Sequence, residues 1–517
     1  MALNRVRKSR LFAAIVMIFL AASLGIWWLL TTLLPWSNHT PDNAVLQQPL
    51  PGSWQPQVCP GDVSDVTCGL WHTADGQFSL PVVIIRHQQN EQHSAQHTAP
   101  LLYLQGGPGA GADINSVNAL QRWRVWRDYA GLQRDLILLD RRGTGGSKPK
   151  PVCPAYERFS RQALKRNLSL QQEWTEAQSV LNRCLDGMPG FNPEHYGSVI
   201  SAADINQLGR ALGIDRWHVL GVSYGSRLAL ALESDRAGGQ GGPRLDSLIL
   251  DSVYPPQHGG LIDWPDTLAR ALNGFYKACS GDQDCQQAWQ AQPFAKPISA
   301  ATIQTALMEA LQQLRQAPMQ VDVQVTGLPQ RIVVNDHRLL AAVFAASYHR
   351  HRWADVITAL AAIQKRDRPA VANLMQLFVS QALSDSVTSF TFMAVDCRDN
   401  PLGEPQQYTA AVSRHPQLAP YLSGMWQGQI CHQWPAAKPL TLPKPPARVA
   451  LLAGEFDPIT PASWARELHR HWPNSHLSEF KAIGHHVLGS KSCALAQLEL
   501  YLNGKQHTFK KCSTPEV

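Results

Sequence analysis

The sequence predicts an α/β protein: a mostly parallel central sheet covered by helices on both faces and interrupted by one large, mainly helical insertion. Three observations predict it. Short apolar runs at 101–104, 136–139, 217–220, 248–251 and 449–453 alternate with segments of helical periodicity such as 202–212 and 226–233. Runs of this kind read as strands buried on both faces, which a parallel sheet with crossover helices requires. Some of them end directly in glycine-rich loops, as at Gly106-Gly107-Pro108-Gly109. Between the fourth and fifth runs lies a long stretch, 256–446, with helical periodicity, few strand signals and a proline-rich end.

Length and charge set outer bounds. A chain of 517 residues exceeds what one ordinary core accommodates, so a main domain plus an insertion is expected. With 44% hydrophobic and 16% charged residues the composition is that of a globular protein. The net charge of +7 is modest and no basic stripe is present, which excludes a nucleic-acid partner. At the N-terminus Arg5, Arg7, Lys8 and Arg10 precede an uncharged apolar stretch, 11–34. As a helix it would span ~36 Å, against a ~30 Å hydrocarbon core. The positive flank stays in the cytoplasm. The expected arrangement is a single-pass anchor in a bacterial-type inner membrane, with everything after it on the periplasmic or extracellular side. A cleaved signal peptide, cut near Ala21 and Ser23 and leaving a secreted chain, is the alternative. The expected divisions are a cytoplasmic basic segment 1–10, a transmembrane anchor 11–34, a linker 35–58, the first part of the core 59–255, a helical lid 256–446, and the second part of the core 447–517.

The cysteines agree with export. There are ten, and none forms a C-x-x-C pair. Zinc and thioredoxin-type readings are therefore weak, and an oxidising compartment allows disulfides. Short loops suggest Cys59 with Cys68, Cys153 with Cys184, Cys279 with Cys285, Cys397 with Cys431, and Cys493 with Cys512, although sequence alone leaves connectivity open. The histidines His87, His93 and His97 read as a solvated loop. No metal and no cofactor is expected.

Chemistry concentrates at strand ends. Gly221-Val222-Ser223-Tyr224-Gly225 is a G-x-S-x-G motif entered from the apolar run 217–220 and left through a helical segment. In that context it is a nucleophile elbow, which projects Ser223 Oγ from a strained strand-to-helix turn. A serine hydroxyl needs a base, and the base needs an orienting acid. Downstream, Asp457 lies just past the run 449–453, and His485 follows one helix and one strand later. Glu455 is the alternative acid and His486 the alternative base. Two N–H groups would serve an oxyanion, those of Tyr224 and Gly107.

Four segments together resemble the tripeptidyl and prolyl aminopeptidase group of serine peptidases, most nearly its tripeptidyl-aminopeptidase-like branch, over about 59–502. They are Leu104-Gln105-Gly106-Gly107-Pro108-Gly109, Asp140-Arg141-Arg142-Gly143-Thr144-Gly145-Gly146-Ser147, the Ser223 pentapeptide, and Asp457 with Gly484-His485. The resemblance implies an α/β-hydrolase fold with Ser223, Asp457 and His485 as nucleophile, acid and base. It also implies release of short N-terminal units or prolyl residues from a peptide substrate through an acyl-enzyme. Gln105 and His486 depart from the group's pattern. An exopeptidase must also read a free amine, and Asp399 is the candidate carboxylate. A carboxylesterase or another hydrolase of small acyl substrates would use the same triad. The third alternative is a catalytically dead, membrane-anchored binding module.

Overall fold

In a computed structural model of the chain, the described residues are 52–61, 63–87, 98–188, 190–325, 327–384, 386–434 and 436–511. Eleven strands occur among them: β1 (Ser53–Gln57), β2 (Val66–His72), β3 (Ser79–Ile85), β4 (Leu101–Leu104), β5 (Leu136–Leu139), β6 (Arg216–Val222), β7 (Arg244–Asp251), β8 (Met319–Val325), β9 (Leu328–Val334), β10 (Val449–Gly454) and β11 (His476–Phe480). Nine of them form one sheet in the order β1-β2-β3-β5-β4-β6-β7-β10-β11. From β5 to β11 every neighbouring pair is parallel. The pairs β1–β2, β2–β3 and β3–β5 are antiparallel.

The apolar runs lack alternation because both sheet faces are covered. Every residue of β4, β5 and β10 is buried. Successive side chains point to opposite faces. Thus Leu102, Leu104, Ile137 and Val219 join one core, while Leu101, Tyr103, Leu136 and Leu220 join the other.

A third core belongs to the insertion. Helices Gly260–Gly281, Ala300–Gln316, Asp336–Ser347, Trp353–Lys365 and Arg368–Ala382 enclose Leu272, Leu307, Leu311, Val343, Ile357 and Leu374. The chain leaves the sheet after β7 and returns at β10, its direct neighbour, with Leu248 opposite Val449. The returning helix Ser389–Asp399 packs instead on a sheet core, through Phe390, Ala394, Val395 and Cys397.

Two features were not expected. The insertion holds an antiparallel hairpin, β8–β9, paired from Met319–Val334 to Val325–Leu328. Its first strand alternates buried and exposed residues, a half-buried pattern unlike the continuous apolar runs of the main sheet. The expected linker 35–58 also contains β1, a polar strand with a proline, which the sheet accepts only at its edge.

Disulfides join Cys59–Cys68, Cys153–Cys184, Cys279–Cys285 and Cys397–Cys431. Cys493 is disulfide-bonded, and Cys512 lies outside the described residues. No helix among the described residues is long and apolar enough to cross a membrane. The expected anchor 11–34 lies outside them, as do His93 and His97.

Candidate active site

Ser223 stands between β6 and the helix Tyr224–Asp235 with φ 55° and ψ −123°, a backbone conformation that a residue with a Cβ rarely adopts. Its neighbours hold it there. Its N–H donates to Asp251 O at 2.8 Å, and its carbonyl accepts from Ser226 N–H at 2.9 Å and from Ser226 Oγ–H at 2.5 Å. The flanking glycines are obligatory for a steric reason. A Cβ on Gly225 would lie 1.9 Å from Leu104 O, and one on Gly221 would lie 2.3 Å from Gly225 O.

The glycine loop after β4 closes on this turn. A Cβ on Gly106 would stand 3.0 Å from Ser223 Cβ, and Gly107 has φ +52°. Beneath the loop runs Arg141, a buried guanidinium. Its Nη2 donates to Ala110 O at 3.2 Å, with longer contacts of 3.4–3.5 Å to the carbonyls of Gln105, Gly106 and Gly107. Its planar group also covers the Tyr224 ring at 4.9 Å. Asp140 ties the two loops together, accepting from Ala112 N–H, Asn115 Nδ2 and Gly146 N–H at 2.7–2.8 Å. The Asp-Arg-Arg-Gly segment is thus the clasp of the glycine loop, a role that no local pattern displays.

The candidate acid and base meet at the far end of the parallel sheet. Asp457, fully buried, accepts from Ile459 N–H at 3.0 Å and Thr460 N–H at 2.8 Å on Oδ1. Its Oδ2 accepts from Thr460 Oγ1 and His485 Nδ1, both at 2.8 Å. With Nδ1 protonated toward Asp457, the neutral ring presents Nε2 as its acceptor. Burial lowers the affinity of His485 for a proton, but the Asp457 charge and hydrogen bond outweigh it and set the pKa above the ordinary value. For Asp457 burial pushes upward, yet His485 and Thr460 bring the carboxyl below its ordinary range. The Tyr348 ring packs edge-on against the imidazole, with centroids 5.4 Å apart.

The alternatives separate in space. Glu455 is exposed and accepts from Ala482 N–H at 3.1 Å, and among the described residues it makes no hydrogen bond or ion pair with either histidine. His486 turns toward Asp251, its Nε2 4.0 Å from that carboxylate and without a hydrogen-bond partner among the described residues.

Asp251 is a residue that sequence reading missed. It closes β7, is fully buried, and accepts from Val487 N–H and Leu488 N–H at 2.8 Å each. Ser252 beside it accepts from His486 N–H at 2.8 Å. Together they fasten the loop that carries His485.

Ser223 and His485 line one cavity of about 580 Å³, whose wall also includes Gly107, Tyr224, Asp396 and Asp399. Among the described residues no hydrogen bond joins the Ser223 hydroxyl to the imidazole; unliganded sites often hold such contacts open. Asp399 ends the helix Ser389–Asp399 and accepts from Ser198 N–H at 2.9 Å and from the Ser198 hydroxyl. One turn earlier, Asp396 is held up in pKa by burial, and among the described residues its carboxyl takes one hydrogen bond, from Asn400 Nδ2 at 2.7 Å. The tryptophan Trp353 is buried in the insertion's core, and Trp426 donates to Gly403 O at 3.2 Å.

Residues 99–492 match the family described as alpha/beta hydrolase fold. The chain is 26% identical over 214 residues to the serine protease Hip1 of Mycobacterium tuberculosis, covering 40% of this chain and 38% of that one. It is 30% identical over 145 residues to a proline iminopeptidase of Xanthomonas citri, covering 28% and 31%. A tripeptidyl aminopeptidase of Streptomyces lividans is 22% identical over 429 residues, covering 79% and 75%. The chain therefore spans well under half the length of the Hip1 protein, but most of the last relative.

Proposed function

We propose, from the premise that the chain belongs to the α/β-hydrolase family, that it is an exported aminopeptidase working through an acyl-enzyme. The single observation that carries the reading is the pairing of Asp457 with His485 beside a cavity whose wall includes the strained Ser223. His485 Nε2 takes the Ser223 Oγ proton as the oxygen attacks the scissile carbonyl. Asp457 holds the ring and offsets the imidazolium charge. The backbone N–H groups of Tyr224 and Gly107 receive the oxyanion, helped by the N-terminal dipole of the helix Tyr224–Asp235. His485 then returns its proton to the leaving amine, and water repeats the sequence to free the acyl fragment.

Asp396 and Asp399 in the same cavity support exopeptidase geometry. An ammonium is the natural partner of two carboxylates one helical turn apart, and its charge relieves their mutual repulsion. Asp396 keeps spare acceptor capacity for it. The likeness to proteins named tripeptidyl aminopeptidase and proline iminopeptidase supports the same reading. Four disulfides among the described residues favour a periplasmic or extracellular site of action, reached through an anchor at 11–34.

The test pairs a fluorophosphonate probe with matched peptides, free or acetylated at the N-terminus. Labelling at Ser223 with turnover of free-amine peptides alone is expected. Equal turnover of acetylated peptides would remove the amine-reading step. Hydrolysis of aryl esters without any peptide cleavage would make the protein a carboxylesterase. A folded protein that neither labels nor turns over would be a binding module.

A further inference from the structure

Beside the catalytic cavity lies a second one of about 500 Å³, built almost wholly from the insertion. The two share Trp264, Tyr348 and Met425 as walls. The remaining surface is mostly apolar, with Leu340, Phe344 and Phe378 prominent, and no aspartate or glutamate lines it among the described residues. Tyr348 is the hinge between the two spaces. Its ring meets His485 with centroids 5.4 Å apart and Phe344 at 5.6 Å, and Phe344 meets Trp264 at 5.2 Å. Aromatic surface thus runs without a break from the imidazole into the second cavity.

We infer that this cavity is the leaving-side subsite, taking an apolar side chain of the residue that follows the scissile bond. The inference rests on the hydrolase reading above and adds a substrate class to it. Two placements fix the side. The acyl fragment keeps its amine near Asp396 and Asp399, neither of which borders the second cavity. The leaving fragment departs past the group that protonates it, His485, and the aromatic run starts there. Its polar edge does not argue for a charged occupant, since His337 is already engaged with Glu173 at 3.2 Å. An aliphatic or aromatic side chain therefore fills the space without stranding a polar group, whereas an acidic or hydroxylated one gives up water over a mostly apolar wall, with the Gln381 amide at its exposed edge.

Peptides with one common N-terminal portion, and leucine, phenylalanine, serine or aspartate immediately after the cleaved bond, test it by kcat/KM. An aminoacyl arylamide with the same N-terminal portion serves as the reference, because its leaving arylamine has no α-carbon and therefore no side chain of a following residue. The wild type should prefer leucine and phenylalanine over serine and aspartate by about ten- to a hundredfold. Ala341→Glu, on the half-buried wall of the cavity, should erase that preference while arylamide turnover stays within about twofold. Thermal melting checks that the variant is folded, and the wild-type series stands without it. Equal kcat/KM across the four peptides would overturn the inference. Failure of the wild type to turn over the arylamide or to label with fluorophosphonate is a different result. It removes the hydrolase reading, and this subsite with it.

Discussion

Asp457 and Asp251 are both fully buried carboxylates at the ends of adjacent strands, and each grips a different part of the His485 loop. Asp457 touches the ring, so its loss acts on chemistry. Asp457→Asn should lower kcat by about 10⁴, the cost of a wrong tautomer at a triad base, as single-turnover kinetics would measure. Turnover requires neutral Nε2, so it declines as pH falls through the His485 pKa. Because Asp457 raises that pKa above 6.5, the acid limb should lie above the position of an ordinary histidine and move to lower pH in Asp457→Asn. Asp251 holds backbone rather than ring. In Asp251→Asn one of two buried N–H groups loses its acceptor, at a cost of about 1–3 kcal/mol of stability by denaturant titration. The acid limb should also shift slightly downward, because the Asp251 charge helps to raise His485; an unmoved limb would leave Asp251 with a purely structural part. Ser223, Asp457 and His485 are legible in sequence because each follows its own strand within a short loop. Asp251, Thr460 and Arg141 are not, since their partners lie on the loops of other strands or in generic turns, and an acid at a strand end has no pattern of its own.

Elements meet at Arg227. It rises from the helix that follows Ser223, is buried, and donates to His258 O at 3.1 Å, Asn400 Oδ1 at 2.9 Å and Asp399 O at 2.6 Å. It also covers the Tyr254 ring at 4.9 Å. The beginning and the return of the insertion are therefore fastened to one guanidinium, which belongs to the helix Tyr224–Asp235. Arg227→Met keeps much of the stem but strands buried acceptors, each worth about 1–3 kcal/mol. Amide exchange should speed up first at 258–260 and 396–400, before the sheet strands respond. Uniform acceleration over the whole protein would contradict the joint. The main strands were readable because burial on both faces leaves unmixed apolar runs. The hairpin β8–β9 was hidden by the opposite property, since its polar half resembles the exposed face of the helices around it.

For the whole molecule, three cores and a set of covalent ties replace a single large interior. The Cys397–Cys431 bridge closes a separation of 34 residues and secures the helix that presents Asp396 and Asp399 to the sheet core. Replacing both cysteines by serine should cost about 2–4 kcal/mol, read as a lower unfolding midpoint. Free-amine selectivity should weaken before turnover of the arylamide does. The long 256–446 stretch was visible in outline as a change of periodicity, but its own core was not, because contacts between distant helices leave no local trace. Since β10 runs parallel to β7 with Val449 level with Leu248, the polypeptide departs past Asp251 and comes back one strand over, ~4.8 Å sideways and ~10 Å back along the strand direction. Closing so narrow a gap costs little more as the bridging segment grows. The body can thus accept a graft of another length or origin at this seam without re-registering β7 against β10. A chimera in which a Gly-Ser tether of about twenty residues, enough for a parallel crossover, replaces 256–446, with Arg227 and the apolar surface beneath replaced by polar residues, should retain the parallel sheet by circular dichroism. In inheritance as in engineering, what the enzyme selects is then free to drift as a unit, apart from how it moves a proton.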